Sequence, residues 1–136
     1  MPVVPITSDW WLELDDEFER QTEGGDLVLW SGTRTVYASV FRGGNVDAEA
    51  AIAVMLDARK EPPLRKFDRV EANAIGHAYL LPERGDRGQY WGLNTWTASR
   101  RSVACVTFYF RALDDLKWAL AGWQSVQCGA CDGYVN

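Results

Sequence analysis

The segment Ser102–Phe110 constrains the fold more than any other part of this sequence. Its two parities both carry mainly apolar side chains: Val106, Phe108 and Phe110 on one, and Val103, Cys105, Thr107 and Tyr109 on the other. Successive side chains of a β-strand point to opposite faces, so a strand that is apolar on both parities is covered on both sides. We therefore predict that this segment is a central strand of a sheet.

The first third of the chain is predicted to form further strands, because β-branched and aromatic residues alternate between residues typical of turns. The predicted strands lie near Trp10–Leu14, Phe18–Thr22, Leu27–Ser31 and Thr35–Arg42. Two glycine-containing turns, Gly24-Gly25-Asp26 and Ser31-Gly32-Thr33, separate them, since glycine adopts positive φ without steric cost. This pattern predicts an antiparallel meander.

The middle and the end of the chain add helices and a hairpin. Asn45 is a helix-capping residue type, and the apolar spacing after it predicts a helix from Asn45 to about Lys60. A long strand is predicted from about Phe67 to Leu81, paired as a hairpin with Gln89–Ala98. Leu116, Ala119, Leu120 and Trp123 then form the apolar stripe of a last helix.

These elements predict one α+β domain, because 136 residues fit a single core. We expect an antiparallel sheet of about six or seven strands flanked by two helices. The expected organisation is an N-terminal arm over residues 1–9, the domain over residues 10–127, and a C-terminal tail over residues 128–136.

Composition narrows the classes of partner. The net charge of -5 opposes binding to nucleic acid, which requires Lys and Arg to neutralise phosphates. No apolar run approaches the ~20 residues that span a bilayer, so we expect no membrane. The first nine residues lack the basic and apolar regions of a secretory signal, and three cysteines are an odd number. A cytoplasmic protein that is a monomer or a homodimer is the resulting expectation.

Catalytic signatures are missing from the sequence. It contains no G-x-S-x-G, no Walker loop, no H-E-x-x-H and no G-x-G-x-x-G. His77 is the only histidine, so nucleophilic catalysis of the Ser-His or Cys-His type would have to use it, with Cys105 the only mid-chain thiol. The sequence therefore favours a non-enzymatic protein, and it predicts no cofactor.

Aromatic residues provide the predicted ligand-binding surface. The chain has seven tryptophans and five tyrosines, which combine apolar area with one polar atom. His77 and Tyr79 on the long strand, with Trp91 and Trp96 on its hairpin partner, are predicted to form one aromatic wall that binds a small ligand. Core packing is the alternative explanation for each of these rings.

A second predicted surface would bind a protein partner. Trp118 lies off the apolar stripe of the last helix, which predicts that it is exposed. Asp15, Asp16 and Glu17 belong to a dense acidic stretch, which is either a solvated hairpin or a patch that attracts a basic partner. We assign Trp118 and these three acids to the partner-binding surface.

The tail contains a C-x-x-C pattern, Cys128-Gly129-Ala130-Cys131. A redox pair normally sits at the start of a helix, and only five residues follow Cys131. A structural zinc site needs about four ligands, so Cys128 and Cys131 would require Cys105 and His77 as well. We predict no metal site, with Cys128 and Cys131 as the candidates should one exist.

The order of predicted elements from Trp10 to Gln127, together with the ending Leu116-Lys117-Trp118-Ala119-Leu120-Ala121-Gly122-Trp123-Gln124-Ser125-Val126, resembles the Mog1/PsbP-like fold. That fold is an antiparallel sheet flanked by helices. The resemblance implies a non-enzymatic module that binds a partner, as in members that bind a small GTPase or serve as photosystem accessory subunits. It carries over no site residues.

The sequence as a whole favours a protein-binding or accessory domain whose partner is an unidentified protein. The bacterial immunity-type protein is one class that fits the acidic charge and abundant aromatic residues. The alternative is a small-ligand-binding protein, or a simple enzyme, that uses the wall of His77, Tyr79, Trp91 and Trp96.

Overall fold

The computed structural model describes residues 3–15, 17–42, 64–70, 75–86, 88–99 and 102–129. Ten strands and one α-helix lie within these ranges. The strands are β1 Val3–Pro5, β2 Trp10–Glu13, β3 Glu19–Glu23, β4 Asp26–Ser31, β5 Arg34–Arg42, β6 Arg65–Val70, β7 Ile75–Gly85, β8 Gly88–Ala98, β9 Ser102–Phe110 and β10 Gln127–Cys128. The helix α1 is Leu116–Gln124, preceded by a 3-10 turn at Leu113–Asp115.

Seven strands form the main sheet in the order β3-β4-β5-β9-β8-β7-β6, and every neighbouring pair is antiparallel. β9 is the fourth of the seven, which confirms its predicted central position. Its long registers with β5 and β8 run from Ser102 to Tyr109 and from Val103 to Phe110. The predicted α+β class with an antiparallel sheet is confirmed.

A smaller sheet has the order β1-β2-β10, with β2 in the middle. β1 lies within the predicted arm, and the predicted boundary between domain and tail falls inside β10. β2 pairs with β1 from Val3 to Pro5 and with β10 at Gln127 and Cys128. Segments from the two ends of the chain are thus held against the same strand.

The core lies between one face of the main sheet and a layer formed by α1 and β2. Trp10, Leu12, Phe108 and Trp123 are among its fully buried side chains. Gly122 of α1 packs so closely on the sheet that a Cβ there would lie 2.7 Å from Phe108 Cε2. A small residue at this position therefore lets the helix approach the sheet.

Several polar groups inside this core have hydrogen-bond partners, whereas the buried Trp118 Nε1 has none among the described residues. Trp10 Nε1 donates to Ser102 Oγ at 2.9 Å, and Trp123 Nε1 donates to Thr97 Oγ1 at 3.1 Å. The buried Arg69 donates from Nη1 to the carbonyl of Trp123 at 2.9 Å, near the carboxyl end of α1. A cation there also complements the helix dipole. These bonds offset the cost of burying polar atoms.

Two predictions about secondary structure have different outcomes. The long strand from Phe67 to Leu81 is wrong, because β6 and β7 are separate strands that pair antiparallel from Val70↔Ile75 to Arg65↔Leu80. The alternating pattern continues across 71–74 without glycine or proline, and Asn73 was the only residue of a turn-favouring type there. The predicted helix 45–60 lies outside the described residues.

The described part of the chain contains no helix both long and apolar enough to cross a membrane.

Candidate functional site

The main sheet has a second face, opposite α1 and β2, which we call the outer face. Because side chains alternate along a strand, Leu93 and Phe108 point into the core while Asn94 and Tyr109 point to the outer face. Matching positions on β5, β7, β8 and β9 lie side by side in this register. These rows determine which candidate site residues share the outer face.

The structure brings together three of the four residues predicted to form the ligand-binding wall. His77 pairs with Trp96 across β7 and β8, and Tyr79 meets Trp96 edge to face with ring centroids 5.6 Å apart. All three point to the outer face. Trp91 has the opposite parity on β8, and it packs against the core. The four side chains therefore do not form one wall.

His77 and Asp68 form a pair at the β6 side of this group. His77 Nδ1 donates to Asp68 Oδ1 at 2.7 Å, and the Asp68 side chain is 75% exposed. Burial, and to a smaller extent the charge of Asp68, raises the pKa of Tyr79. Both effects favour the neutral phenol, so Tyr79 acts here as a hydroxyl group and an aromatic surface.

Cys105 and His77 do not form a nucleophile-base pair. His77 pairs with Trp96, and Trp96 pairs with Cys105, so two strand spacings of roughly 5 Å each separate the thiol from the imidazole. Burial also raises the pKa of the Cys105 thiol to about 12. A thiol in that state carries almost no thiolate at neutral pH, and the thiolate is the reactive form.

The predicted exposure of Trp118 is wrong. Its side chain is 8% exposed and belongs to the core, where it stacks on Phe18 at 6.0 Å and meets Phe108 edge to face at 5.7 Å. The Arg34 guanidinium lies 4.8 Å from its ring centroid. A position off the apolar stripe is buried here because Phe18, between β2 and β3, covers that side of the helix.

The predicted acidic partners lie near this buried indole. Asp15 is half exposed, with a carboxylate oxygen 3.9 Å from Arg34 Nη1, and Glu17 is exposed. Arg34 makes a shorter contact with Asp115, at 2.8 Å. Asp16 lies outside the described residues. The structure therefore does not assemble Trp118, Asp15 and Glu17 into one exposed surface.

The tail cysteine that the structure describes is oxidised. Cys128 is disulfide-bonded, Cys105 is a free thiol, and Cys131 lies outside the described residues. A disulfide sulfur is not the thiolate that a zinc site requires. Within the described ranges, no cluster of three or more His, Cys, Asp or Glu residues is arranged to hold a metal ion.

A groove of about 440 Å³ lies at the other end of the outer face, and no pattern in the sequence predicted it. Its volume is within the range of small-ligand sites. It crosses three adjacent strands, β5, β9 and β8. The lining residues are Thr33, Thr35, Tyr37, Tyr90, Tyr109, Phe110 and Arg111. We call this feature the tyrosine groove.

Three rings give the tyrosine groove its shape. Tyr109 on β9 lies in the middle, with Tyr37 on one side at 6.0 Å and Tyr90 on the other at 5.7 Å. The outer rings stand at 86° and 66° to the central ring. Edge-to-face contacts of this kind stabilise the arrangement of the rings. Both outer rings of the groove are therefore steeply inclined to the central ring.

Gly92 has no side chain that would keep the central ring away from the backbone of β8. A Cβ at Gly92 would be 3.2 Å from Tyr109 Cε1, so the ring leans over the glycine backbone. The neighbouring Asn94 is 8% exposed and makes two long hydrogen bonds, 3.4 Å to the Gly92 carbonyl and 3.5 Å from Thr107 Oγ1. Bonds this long are weak, so the amide beside the groove is held loosely.

A second cavity, of about 450 Å³, lies toward the end of the β7–β8 hairpin. Pro82, Glu83, Arg84 and Gln89 line it. Among the described lining residues there is no aromatic ring, and Glu83 and Arg84 lie on a two-stranded ribbon.

Comparison with known proteins shows the fold alone. No protein-family model and no curated protein matches the chain. A crystal structure from Bacteroides thetaiotaomicron VPI-5482 is similar, with a TM-score of 0.67 and 12% sequence identity over 88% of this chain and 44% of that one. The chain spans less than half the length of that neighbour.

Proposed function

We propose that this chain is a non-enzymatic protein-binding or accessory domain that recognises its partner through the tyrosine groove. The observation that carries this proposal is the line of Tyr37, Tyr109 and Tyr90 across three strands, with rings 5.7 to 6.0 Å apart. The rings lie on a rigid sheet, so little side-chain entropy is lost when a partner binds them.

The composition of the groove favours recognition. Tyrosine supplies a large contact area with few rotatable bonds and a polar tip, and it is enriched with arginine at protein interfaces. Tyr37 is 41% exposed, so its ring offers apolar area to a partner. Thr33 and Thr35 add hydroxyl groups at the rim, and Arg111 adds a guanidinium group. Apolar and hydrogen-bonding groups thus occur together.

Selection from a random peptide library tests this proposal even though the partner is unidentified. Peptides displayed on phage are selected on the wild-type protein and then measured on two variants of β5. Tyr37→Thr removes a ring of the groove, whereas Phe41→Thr removes a ring that is 53% exposed on the same strand and face but outside the groove. Both keep a β-branched residue in the strand.

We expect enriched peptides to bind wild type and Phe41→Thr and to lose binding to Tyr37→Thr. Equal binding to both variants would place the recognised surface elsewhere and overturn the proposal. Absence of any enriched peptide would also count against recognition of a peptide segment by this groove.

A small-ligand-binding function is the second candidate, and the volume of the groove favours it. We propose that such a ligand would occupy the tyrosine groove. His77, Tyr79 and Trp96 lie together elsewhere on the same face, where Tyr79 and Trp96 are only 8% and 6% exposed. Native mass spectrometry of the purified protein tests this. A bound organic mass that Tyr37→Thr releases would support it, and a bare chain mass would oppose it.

We also propose a Mog1/PsbP-like arrangement, with a second layer on the outer face. Ala98, Val103 and Trp96 point to that face and are 0%, 2% and 6% exposed, which such a layer would explain. The predicted helix 45–60 would supply it. A cytoplasmic location stays a prediction, and the disulfide at Cys128 bears against it because disulfides are rare in the cytosol.

A further inference from the structure

We propose that β6 is a dimer interface, at which this strand pairs antiparallel with β6 of a second copy of the chain. β6 is the last strand of the main sheet, and among the described strands it pairs with β7 alone. The outward edge of such a strand carries unpaired backbone N–H and C=O groups, which form a template for another strand. The charges and the apolar residues along β6 identify a second copy of β6 as that strand.

The two edges of the main sheet differ in what they expose. β3, at the other edge, is exposed along its whole length and carries only charged and polar side chains over Glu19–Glu23. Side chains of this kind keep an edge strand solvated. β6 instead has an exposed apolar residue at each end: Leu64, immediately before the strand, is 58% exposed, and Val70 is 78% exposed. Burial of these two residues favours association at β6.

The outer-face row of β6 carries two opposite charges between these apolar residues. The row consists of Lys66, Asp68 and Val70, and Leu64 has the same parity. Lys66 is exposed, and the Asp68 side chain is 75% exposed. One carboxylate oxygen of Asp68 accepts a bond from His77, and a carboxylate has acceptor sites for a second cation.

A twofold axis limits how two β6 strands can pair. Outer-face residues must lie opposite outer-face residues, because both copies keep the same face of the sheet on the same side. In the register that places Phe67 opposite Phe67 of the second copy, Lys66 of each copy lies opposite Asp68 of the other. Leu64 and Val70 then meet at both ends of the pair. This register matches opposite charges and apolar residues at once.

The neighbouring registers bring like charges together. One places Asp68 opposite Asp68 of the second copy, and the other places Lys66 opposite Lys66. Opposite charges on directly paired residues stabilise a sheet, whereas like charges destabilise it. β3 is not self-complementary in this way, because its full-length pairing places Glu19 opposite Glu23. Charge complementarity therefore selects β6 and one register of it.

The core-side row contributes one unfavourable pair. The same register places Arg65 opposite Arg69 of the second copy. Arg69 is 7% exposed, and its Nη1 donates to the carbonyl of Trp123 within its own core. The Arg65 guanidinium lies 4.9 Å from the centroid of the Phe67 ring. Both guanidinium groups have partners within their own copy, so their mutual repulsion is smaller than that of two unpaired charges at this edge.

Charge reversal on each half of the pair tests the proposal with the intact chain. Lys66→Glu and Asp68→Lys each place two like-charge pairs at the interface. An equimolar mixture of the two variants restores two opposite-charge pairs, because each introduced charge then lies opposite its complement. Sedimentation velocity measures the dissociation constant of the dimer, and far-ultraviolet circular dichroism checks that each variant is folded.

Three control variants change the chain elsewhere. Arg20→Glu and Glu19→Lys make the same changes of net charge on β3, and Tyr37→Thr alters the tyrosine groove. We expect all three to form dimers as wild type does. Each single variant of β6 should weaken dimerisation about tenfold, and the mixture should recover it. The difference should shrink as the salt concentration rises, because exposed charges are screened.

Each alternative outcome overturns the proposal in a different way. A wild type that sediments as a monomer throughout the micromolar range has no such interface. A dimer that both β6 variants preserve has its interface elsewhere. If both variants are monomers and their mixture is also monomeric, the charges do not face each other across β6. Association that continues beyond the dimer and is lost in the β3 variants would indicate an open chain of β3 paired with β6.

The proposed function is tested separately from this interface. The described lining of the tyrosine groove contains no residue of β6, so the interface goes beyond that function and does not depend on it. A monomeric protein that still binds groove-selected peptides would overturn the dimer alone. A dimer whose selected peptides do not need Tyr37 would overturn the proposed function alone.

Discussion

The core face of the main sheet and the groove end of its outer face use aromatic residues in opposite ways. On the core face, Trp10 and Trp123 are fully buried, and their indole N–H groups are satisfied by Ser102 and Thr97. On the outer face, Tyr37 is 41% exposed and lines an open groove with two further rings. Aromatic content alone therefore identifies neither face, because the same residue class serves packing on one and offers contact area on the other.

The difference follows from what lies over each face. α1 and β2 pack on the core face, and at Gly122 the helix approaches the sheet so closely that a Cβ would lie 2.7 Å from Phe108 Cε2. Over the tyrosine groove, the described chain leaves about 440 Å³. Substitutions on the core face should therefore change stability, and substitutions in the groove should change binding.

The largest effect is expected for Trp118→Ala. The residue is 8% exposed between Phe18 and Phe108, so truncation leaves a large cavity and should lower the free energy of unfolding by about 3 to 5 kcal/mol. Urea denaturation followed by tryptophan fluorescence measures it. Tyr37→Thr is the matched change on the outer face, and we expect it to cost less than about 1 kcal/mol. Similar losses in both variants would remove the contrast.

Gly122→Ala should have the next largest effect. The added methyl group would lie 2.7 Å from Phe108 Cε2, so α1 or the ring must move, at a cost of about 1 to 3 kcal/mol. The control is Ala121→Ser, an exposed change on the same helix. Thermal unfolding of both variants measures the effect. A Gly122→Ala variant as stable as wild type would mean that the two layers are less tightly packed than the structure shows.

A smaller effect, dependent on pH, is expected at Cys105. Its folded pKa is raised from 9.0 to about 12 by burial, so the folded state favours the neutral thiol. This contribution is complete below pH 9 and is lost as the pH rises from about 9 toward 12, because the unfolded thiol ionises first. Urea midpoints of wild type and Cys105→Ala at pH 8 and pH 10.5 measure it.

Wild type should lose more stability than Cys105→Ala between these two pH values. Other groups that titrate in this window, including Tyr79, are present in both proteins and cancel in the comparison. Equal losses would indicate that the Cys105 thiol is solvated, which would weaken the case that this part of the outer face is covered.

The smallest effect on stability is expected from charge reversal at Asp15 and Glu17. Both side chains are exposed or half exposed, and Arg34 keeps its shorter contact with Asp115 at 2.8 Å. The double variant Asp15→Lys, Glu17→Lys should unfold within about 0.5 kcal/mol of wild type. It should also keep binding groove-selected peptides. If the double variant folds but no longer binds these peptides, the acidic residues belong to the partner-binding surface.

The sequence was sufficient to predict elements whose signal is local. Ser102–Phe110 is apolar on both parities, and it is the middle strand. The strand Gln89–Ala98 and the last helix were also predicted close to the observed bounds of β8 and α1, whereas the first strand of the hairpin was not. The division between β6 and β7 was missed, because alternation continued through 71–74 and outweighed the turn preference of Asn73.

The sites were harder to predict because they depend on contacts between distant strands. The burial of Trp118 requires Phe18, which is far away in sequence. Tyr37, Tyr109 and Tyr90 meet because β5, β9 and β8 are adjacent in register, which no local pattern reveals. The sequence alone could have excluded Trp91 from the predicted wall. Positions 91 and 96 differ by an odd number, so their side chains point to opposite faces of β8.

The position of β2 between β1 and β10 has a consequence for the order of folding. The backbone N–H of Glu13 in β2 donates to Ser125 Oγ at 2.8 Å, and these two residues are 112 positions apart. Contacts of such large sequence separation carry a high loop-closure cost and form slowly. The main sheet consists largely of hairpin neighbours and can form earlier, so closure of the small sheet is a late step. Trp10, whose backbone pairs with Cys128 in this sheet, is therefore expected to reach its final position late in folding.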